Sequence, residues 1–208
     1  QISGMPIVDE PSGHVQGQYH RFDDGSAEIE VLEFLYSLVR LTKAEDILET
    51  GSYVGWSGAY LAMGLKDNGR GILESIEWEK KNLEKAKELW IKLGLADYII
   101  EYNISSLDFM TEKQYDLVLL DTEPQLRFQE LIKFWNNIKL GGIIVIHDLS
   151  WDLGSGAPQF WLHRELIEEK IKSHELQVIH FKTPRGITVM RKADKDDFVY
   201  KFLKGENE

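Results

Sequence analysis

Hydrophobic positions along the chain follow two spacings. From Ser26 to Leu41 the apolar residues Ile29, Leu32, Leu35 and Val39 share one face at helical spacing, with Ser26 placed to cap the start. Short continuous apolar runs follow at about 46–50, 72–77, 98–102, 116–121 and 143–148, separated by helical stretches near 56–66, 79–93, 125–138 and 158–172. Runs such as Leu117-Val-Leu-Leu and Ile143-Ile-Val-Ile lack polar alternation, which suits parallel strands covered on both faces. The final pair, Leu176 to Lys182 and Gly186 to Arg191, is joined by Thr183-Pro-Arg-Gly, a turn that predicts a closing hairpin. The expected fold is therefore α/β: a doubly wound, Rossmann-like, seven-stranded sheet, mostly parallel with a C-terminal antiparallel hairpin and helices on both faces. It occupies residues 25–208 as one domain, after a polar, glycine-containing arm over 1–24.

Composition narrows the partners. A chain of 208 residues is long enough to bury a full core. Its net charge of −11 opposes a phosphate backbone, so no nucleic-acid partner is expected. No apolar run approaches the ~20 residues that cross a bilayer, so no membrane partner is expected and the protein is placed in the cytoplasm. Cysteine is absent, which removes disulfides, thiolate metal sites and cysteine nucleophiles. A small-molecule substrate is the expected partner, and a homodimer is compatible with the sequence.

The densest chemical signal is Ile47-Leu-Glu-Thr-Gly-Ser-Tyr-Val-Gly-Trp-Ser, where a strand ends in Glu49 and Thr50 and glycines stand at positions 51 and 55. A strand, a glycine turn and a helix start make a nucleotide-sized cradle whose free N–H groups would face a ligand. A dinucleotide fingerprint requires glycine two residues after the first. Tyr53 stands there, which argues against a pyrophosphate. About 25 residues after the turn, the run from Ile72 ends in Glu77, followed by Trp78 and Glu79. A carboxylate at a second strand tip can accept from both hydroxyls of a ribose. Both features suit an adenosine bearing a small zwitterionic tail, as in S-adenosylmethionine.

The stretch from Ser37 to Ser57 looks like the first motif of class I S-adenosylmethionine-dependent methyltransferases. It is closest in character to the small O-methyltransferases related to catechol and caffeoyl-CoA O-methyltransferases, and the resemblance runs from about Gly25 to Lys192. It implies that Glu49 and Gly51 meet the methionine part of the cofactor and that Asn103 lies near the adenine, where the family usually has an aspartate. The expected cofactor-binding set is Glu49, Gly51, Ser52, Gly55, Ser57, Glu77, Trp78, Asn103 and Asp121, with Ser52 and Ser57 offering hydroxyls. Trp78 is read as a cover for the adenine, its alternative being a place in the core.

Catalysis is expected at the next two strand tips, Asp121 and His147-Asp148. Metal-dependent members of the resembled family hold a divalent cation with an aspartate at each tip and an asparagine after the second. Leu149 occupies that third position and cannot ligate, so no metal ligands are assigned and a divalent cation is not favoured as cofactor. Asp148 and His147 are the candidate bases, with Asp121 beside them. Trp151, Phe160 and Trp161 are expected to wall a substrate pocket, and Tyr19, His20 and Arg21 to close over it as a lid. The function expected is O-methylation of a small acceptor. The alternative is a non-catalytic or regulatory protein of the same fold that binds S-adenosylmethionine or a nucleoside.

Overall fold

The computed structural model describes residues 8–9, 19–148, 164–194, 196, 201–202 and 205. A two-residue strand β1 (Val8–Asp9) pairs antiparallel with β2 (His20–Arg21). The main body follows as α1 (Ile29–Thr42), β3 (Asp46–Thr50), α2 (Trp56–Asn68), β4 (Ile72–Ile76), α3 (Lys80–Lys92), β5 (Ile99–Tyr102), β6 (Tyr115–Leu120), α4 (Arg127–Phe134), β7 (Ile138–His147), α5 (Arg164–Lys172), β8 (Leu176–Phe181) and β9 (Ile187–Lys192). The seven longer strands form one sheet in the order β5-β4-β3-β6-β7-β9-β8. The first five are mutually parallel, and β9 runs antiparallel to both β7 and β8, as the short turn predicts.

Hydrophobic burial explains the layers. One apolar cluster joins α1, α2 and α3 to one face of the sheet through Leu32, Leu35, Leu61, Leu65, Trp90 and Leu117. A second covers the other face through Leu48, Val118, Leu131, Phe134, Ile144 and Ile146. Neighbours along one strand, such as Leu117 and Val118, thus enter opposite cores, which is why these runs show no polar alternation. The sheet leaves the tips of β3, β4, β6 and β7 along one edge, with β3 and β6 adjacent where the chain order reverses. A doubly wound sheet opens a crevice at such a reversal.

Three local expectations are corrected. Helix α1 begins at Ile29, and Ser26 caps nothing: its hydroxyl donates to Asp23 Oδ2 at 2.8 Å. The residue at the helix start is Glu28, whose side chain makes no cap bond and turns inward instead. Strand β7 starts at Ile138 rather than 143, because Gly141 (φ 78°) sits within an irregular register against β6 instead of in a turn before the strand. The helix expected over 125–138 is accordingly shorter, ending at Phe134 before a 3-10 turn over Trp135–Asn137.

Candidate functional site

The strand tips open into a cavity of about 860 Å³, a size that suits a ligand larger than an amino acid. At one end it is lined by Gly51, Ser52, Tyr53, Ser57, Glu77 and Trp78. At the other it meets Asp121, Arg127, Asp148 and Arg185.

The first end is built on the turn after β3. Gly51 has φ 81°, and a Cβ there would lie 2.5 Å from the Asp121 carbonyl oxygen, so only glycine lets the β3 and β6 tips approach this closely. Tyr53 also has positive φ (48°), in the left-handed region where a side chain is disfavoured. Glu77 holds it there: its Oε2 accepts from the Tyr53 N–H and its Oε1 from the Glu79 N–H, each at 2.8 Å. Burial pushes the Glu77 carboxyl up, against those two backbone donors. A carboxylate has about four acceptor sites, so Glu77 keeps capacity for a diol while it fixes the turn. Trp78 is 70 % exposed and lines the cavity, which rules out the core alternative. Ser52 is buried along the cavity lining, and its hydroxyl has no protein partner.

Several sequence expectations for this end need correcting. The turn N–H groups are not free: Gly51 and Ser52 both donate to the Ile76 carbonyl, and Gly55 donates to that of Ser52. Gly55 is not among the residues lining the cavity and packs against α3. A Cβ there would strike Ala86 and the Trp90 indole, whose Nε1 donates to the Gly55 carbonyl at 2.7 Å. Glu49 lies behind the cavity wall, fully buried, with Ser75 Oγ donating to its Oε2 at 2.6 Å and Ser57 as a second hydroxyl partner. Burial pushes its carboxyl up to about 7 despite those donors. Asn103 also stands outside the lining, and its amide donates to the carbonyls of Glu77 and Trp78 at 2.8 and 3.0 Å. It orients the two residues that do line the cavity.

The second end is ionic. His147 ends β7 with 1 % exposure. Its Nε2 lies 2.8 Å from Glu28 Oε2, and its Nδ1 lies 3.3 Å from Asp121 Oδ1 and 3.4 Å from Asp148 Oδ1. Burial alone would lower its pKa, but the three carboxylates outweigh burial and push it up to about 10. The enclosure favours the imidazolium form of His147, which the sequence offers as a candidate base. Asp148 adopts φ 57°, in the left-handed region, directly after β7. Its carboxylate then meets Arg127 Nη2 at 3.1 Å and Arg185 Nε and Nη2 at 2.7 and 2.8 Å. Burial raises its pKa, but His147, Arg127 and Arg185 together hold it below the usual range. Glu28 is likewise held low, burial being outweighed by its bond to His147.

Glu28, Arg127 and Arg185 escaped the sequence reading. The available signal was chemical: buried carboxylates at two strand tips require cations, and one imidazole is not enough. The expected pocket wall at Trp151, Phe160 and Trp161 lies outside the described residues, as do Leu149 and most of the arm. Of the expected lid, the described His20 holds Glu30 through its backbone N–H and Nδ1 at 3.1 and 2.9 Å, while Gly25, Ser26 and Ala27 line the cavity.

A reversed-order α/β sheet, a glycine turn beside an acid-tipped strand and an adjoining charged end define a Rossmann-like fold of the methyltransferase arrangement. A family model described as O-methyltransferase matches residues 20–192, and the chain belongs to that family. A provisionally named O-methyltransferase of Mycobacterium sp. (strain JLS) is 30% identical over 114 residues, covering 53% of this chain and 51% of that protein. The chain thus spans about half the length of the curated relatives it matches. Among solved structures, the O-methyltransferase TomG of Streptomyces achromogenes, in complex with SAM, superposes with a TM-score of 0.68 at 21% identity over 83% of this chain and 84% of that one. The O-methyltransferase of Bacillus cereus, in complex with SAH, gives 0.69 at 20% identity over 82% and 84%. Among the described residues no helix is long and apolar enough to cross a membrane.

Proposed function

We propose that this chain is an S-adenosylmethionine-dependent methyltransferase acting on an oxygen of a small-molecule acceptor. The observation that carries this reading is one cavity running from the Gly51 turn and Glu77 to the Asp121 and Asp148 carboxylates. Membership of the O-methyltransferase family supports it, as do the SAM- and SAH-bound structures of the same fold.

The residues fit an adenosyl ligand. Glu77 would take the ribose, Trp78 the adenine face, and Ser52 and Ser57 the polar tail. Ser52 Oγ, buried and without a protein partner, awaits such a group. Bound there, S-adenosylmethionine supplies a methyl group that is already activated, so the protein contributes mainly alignment and a proton acceptor. Asp121 suits the latter role better than its neighbours. His147 is enclosed and cationic, and both Asp148 oxygens face guanidinium groups. Among the described residues both ionic contacts of Asp121 fall on Oδ1, and its side chain is 16 % exposed at the cavity. Asp148 then orients and balances charge.

Calorimetry with S-adenosylhomocysteine, S-adenosylmethionine and NAD tests the cofactor, the expected result being heat from the two adenosyl ligands alone. Labelled S-adenosylmethionine with a cell extract tests turnover. Tight adenosyl binding with no label transferred to any acceptor would favour the non-catalytic alternative.

A further inference from the structure

Asp121, His147 and Asp148 present ligand atoms within 4.8 Å of one another, a spacing that would suit a metal ion. The surrounding side chains do not leave that trio open. Arg127 Nη2 lies 3.3 Å from Asp121 Oδ1 and 3.1 Å from Asp148 Oδ2, bridging the two carboxylates. The rest of the fork is fixed by backbone: Nε donates to the Thr122 carbonyl at 2.8 Å and Nη1 to that of His147 at 2.6 Å. Its side chain is 3 % exposed. Both ring nitrogens of His147 are already engaged by carboxylates, Nε2 at 2.8 Å from Glu28 and Nδ1 at 3.3 Å from Asp121. Glu28, Asp121 and Asp148 thus already have His147, Arg127 and Arg185 as close ionic partners. A divalent cation entering between Asp121 and Asp148 would meet the Arg127 guanidinium at close range.

We propose that the Arg127 guanidinium occupies the place between the β6 and β7 tips that a divalent cation takes in metal-dependent O-methyltransferases, so that this site works without a metal. The inference gains its catalytic meaning from the methyl-transfer reading, but the exclusion of the ion does not depend on it. Arg127 is a positioning residue: it aims two carboxylates through directional N–H bonds and has no empty coordination position for an acceptor oxygen. An acceptor hydroxyl here is consequently not acidified by coordination, and its proton must pass directly to a carboxylate.

The test is Mn²⁺ binding by the full chain, read from the electron paramagnetic resonance signal of the free ion, which needs neither cofactor nor acceptor. The parent protein is expected to take up no stoichiometric Mn²⁺ up to roughly 1 mM, the weak limit for oxygen-ligand sites. Arg127→Ala should bind Mn²⁺ at least about tenfold more tightly than the parent, and Arg127→Lys, which restores the charge, should return towards the parent. Where the alanine protein does not fold, Arg127→Gln carries the same comparison. Stoichiometric binding by the parent that Asp148→Asn abolishes would overturn the proposal. So would a folded Arg127→Ala or Arg127→Gln protein that binds no better than the parent, or Arg127→Lys that binds as the alanine protein does. Calorimetry with S-adenosylhomocysteine on the same samples separates the two readings: absent heat sinks the cofactor assignment and leaves the Mn²⁺ result standing.

Discussion

The two ends of the cavity bury acids in opposite ways. Behind the Gly51 turn, Glu49 is enclosed with hydroxyl partners, and burial pushes its carboxyl towards the neutral form. At the β6 and β7 tips, Glu28 and Asp148 are enclosed with cations and held ionised. A buried carboxyl among hydroxyls tolerates protonation, whereas a buried ion pair fails when either member is lost. The first end is thus a shaped surface and the second a charge balance.

The sharpest way to break that contrast is Asp121→Asn, since Asp121 is shared by the cavity and the ionic cluster. Methyl transfer should fall by roughly 10²–10⁴-fold, the usual size for a positioned base, while calorimetric affinity for S-adenosylhomocysteine changes little. Equal losses in rate and affinity would mean that the two ends act as one.

Next in size is Glu28→Ala. It leaves His147 without the partner of its Nε2, and removing one member of a buried pair costs about 3–5 kcal/mol. The urea midpoint should drop accordingly, and an unchanged midpoint would mean the cluster is not the ionic lock described.

The supports also differ in their response to pH. Burial pushes the Glu49 carboxyl from the ordinary 4.5 up to about 7, so the folded protein holds more protons across that window. Its contribution is present below about pH 4.5 and is lost as pH rises to about 7, on the order of 3 kcal/mol at 1.36 per pKa unit. The Glu28 and Asp148 contributions run the other way, present above their ordinary range and lost as pH falls. Melting curves of Glu49→Gln should therefore show a flatter decline between pH 4.5 and 7 than the parent, and identical slopes would refute the assignment.

The smallest effect is expected from Glu77→Ala, which should weaken S-adenosylhomocysteine binding by roughly 1–3 kcal/mol. Because Glu77 also fixes Tyr53 and Glu79, faster amide exchange at those two positions should accompany the loss.

The same contrast explains what was legible in the sequence. The glycine turn, Glu77, Trp78 and the seven strands come from short contiguous runs whose spacing carries their geometry. Glu28, Arg127 and Arg185 reach their partners across gaps of 119, 21 and 37 positions, and no periodicity encodes such meetings. Asp121, His147 and Asp148 were each visible as chemistry at a strand tip. Their roles depended on cations that only the fold brings in, which is why His147 reads as a base in the sequence and as an imidazolium in the structure. Gly55 shows the converse: its place in a recognisable motif points to a ligand contact, and the fold adds a packing constraint from Trp90 and Ala86 that the sequence does not reveal.

Arg185 sits in the turn between the last two strands, and its backbone N–H donates to Glu28 Oε1 at 3.0 Å, 157 positions earlier in the chain. A ribosome releases residues in order, so Glu28, Asp121 and Asp148 all emerge before this arginine. Until it arrives, the growing chain holds three acids against His147 and Arg127 alone. The parallel strands and their glycine turn precede it in the chain, but the ionic cluster closes only once the final hairpin is made. Completion of the ionic cluster is thereby tied to completion of the fold, and a chain cut short before residue 185 would carry the Gly51 turn without the arginine that pairs Asp148.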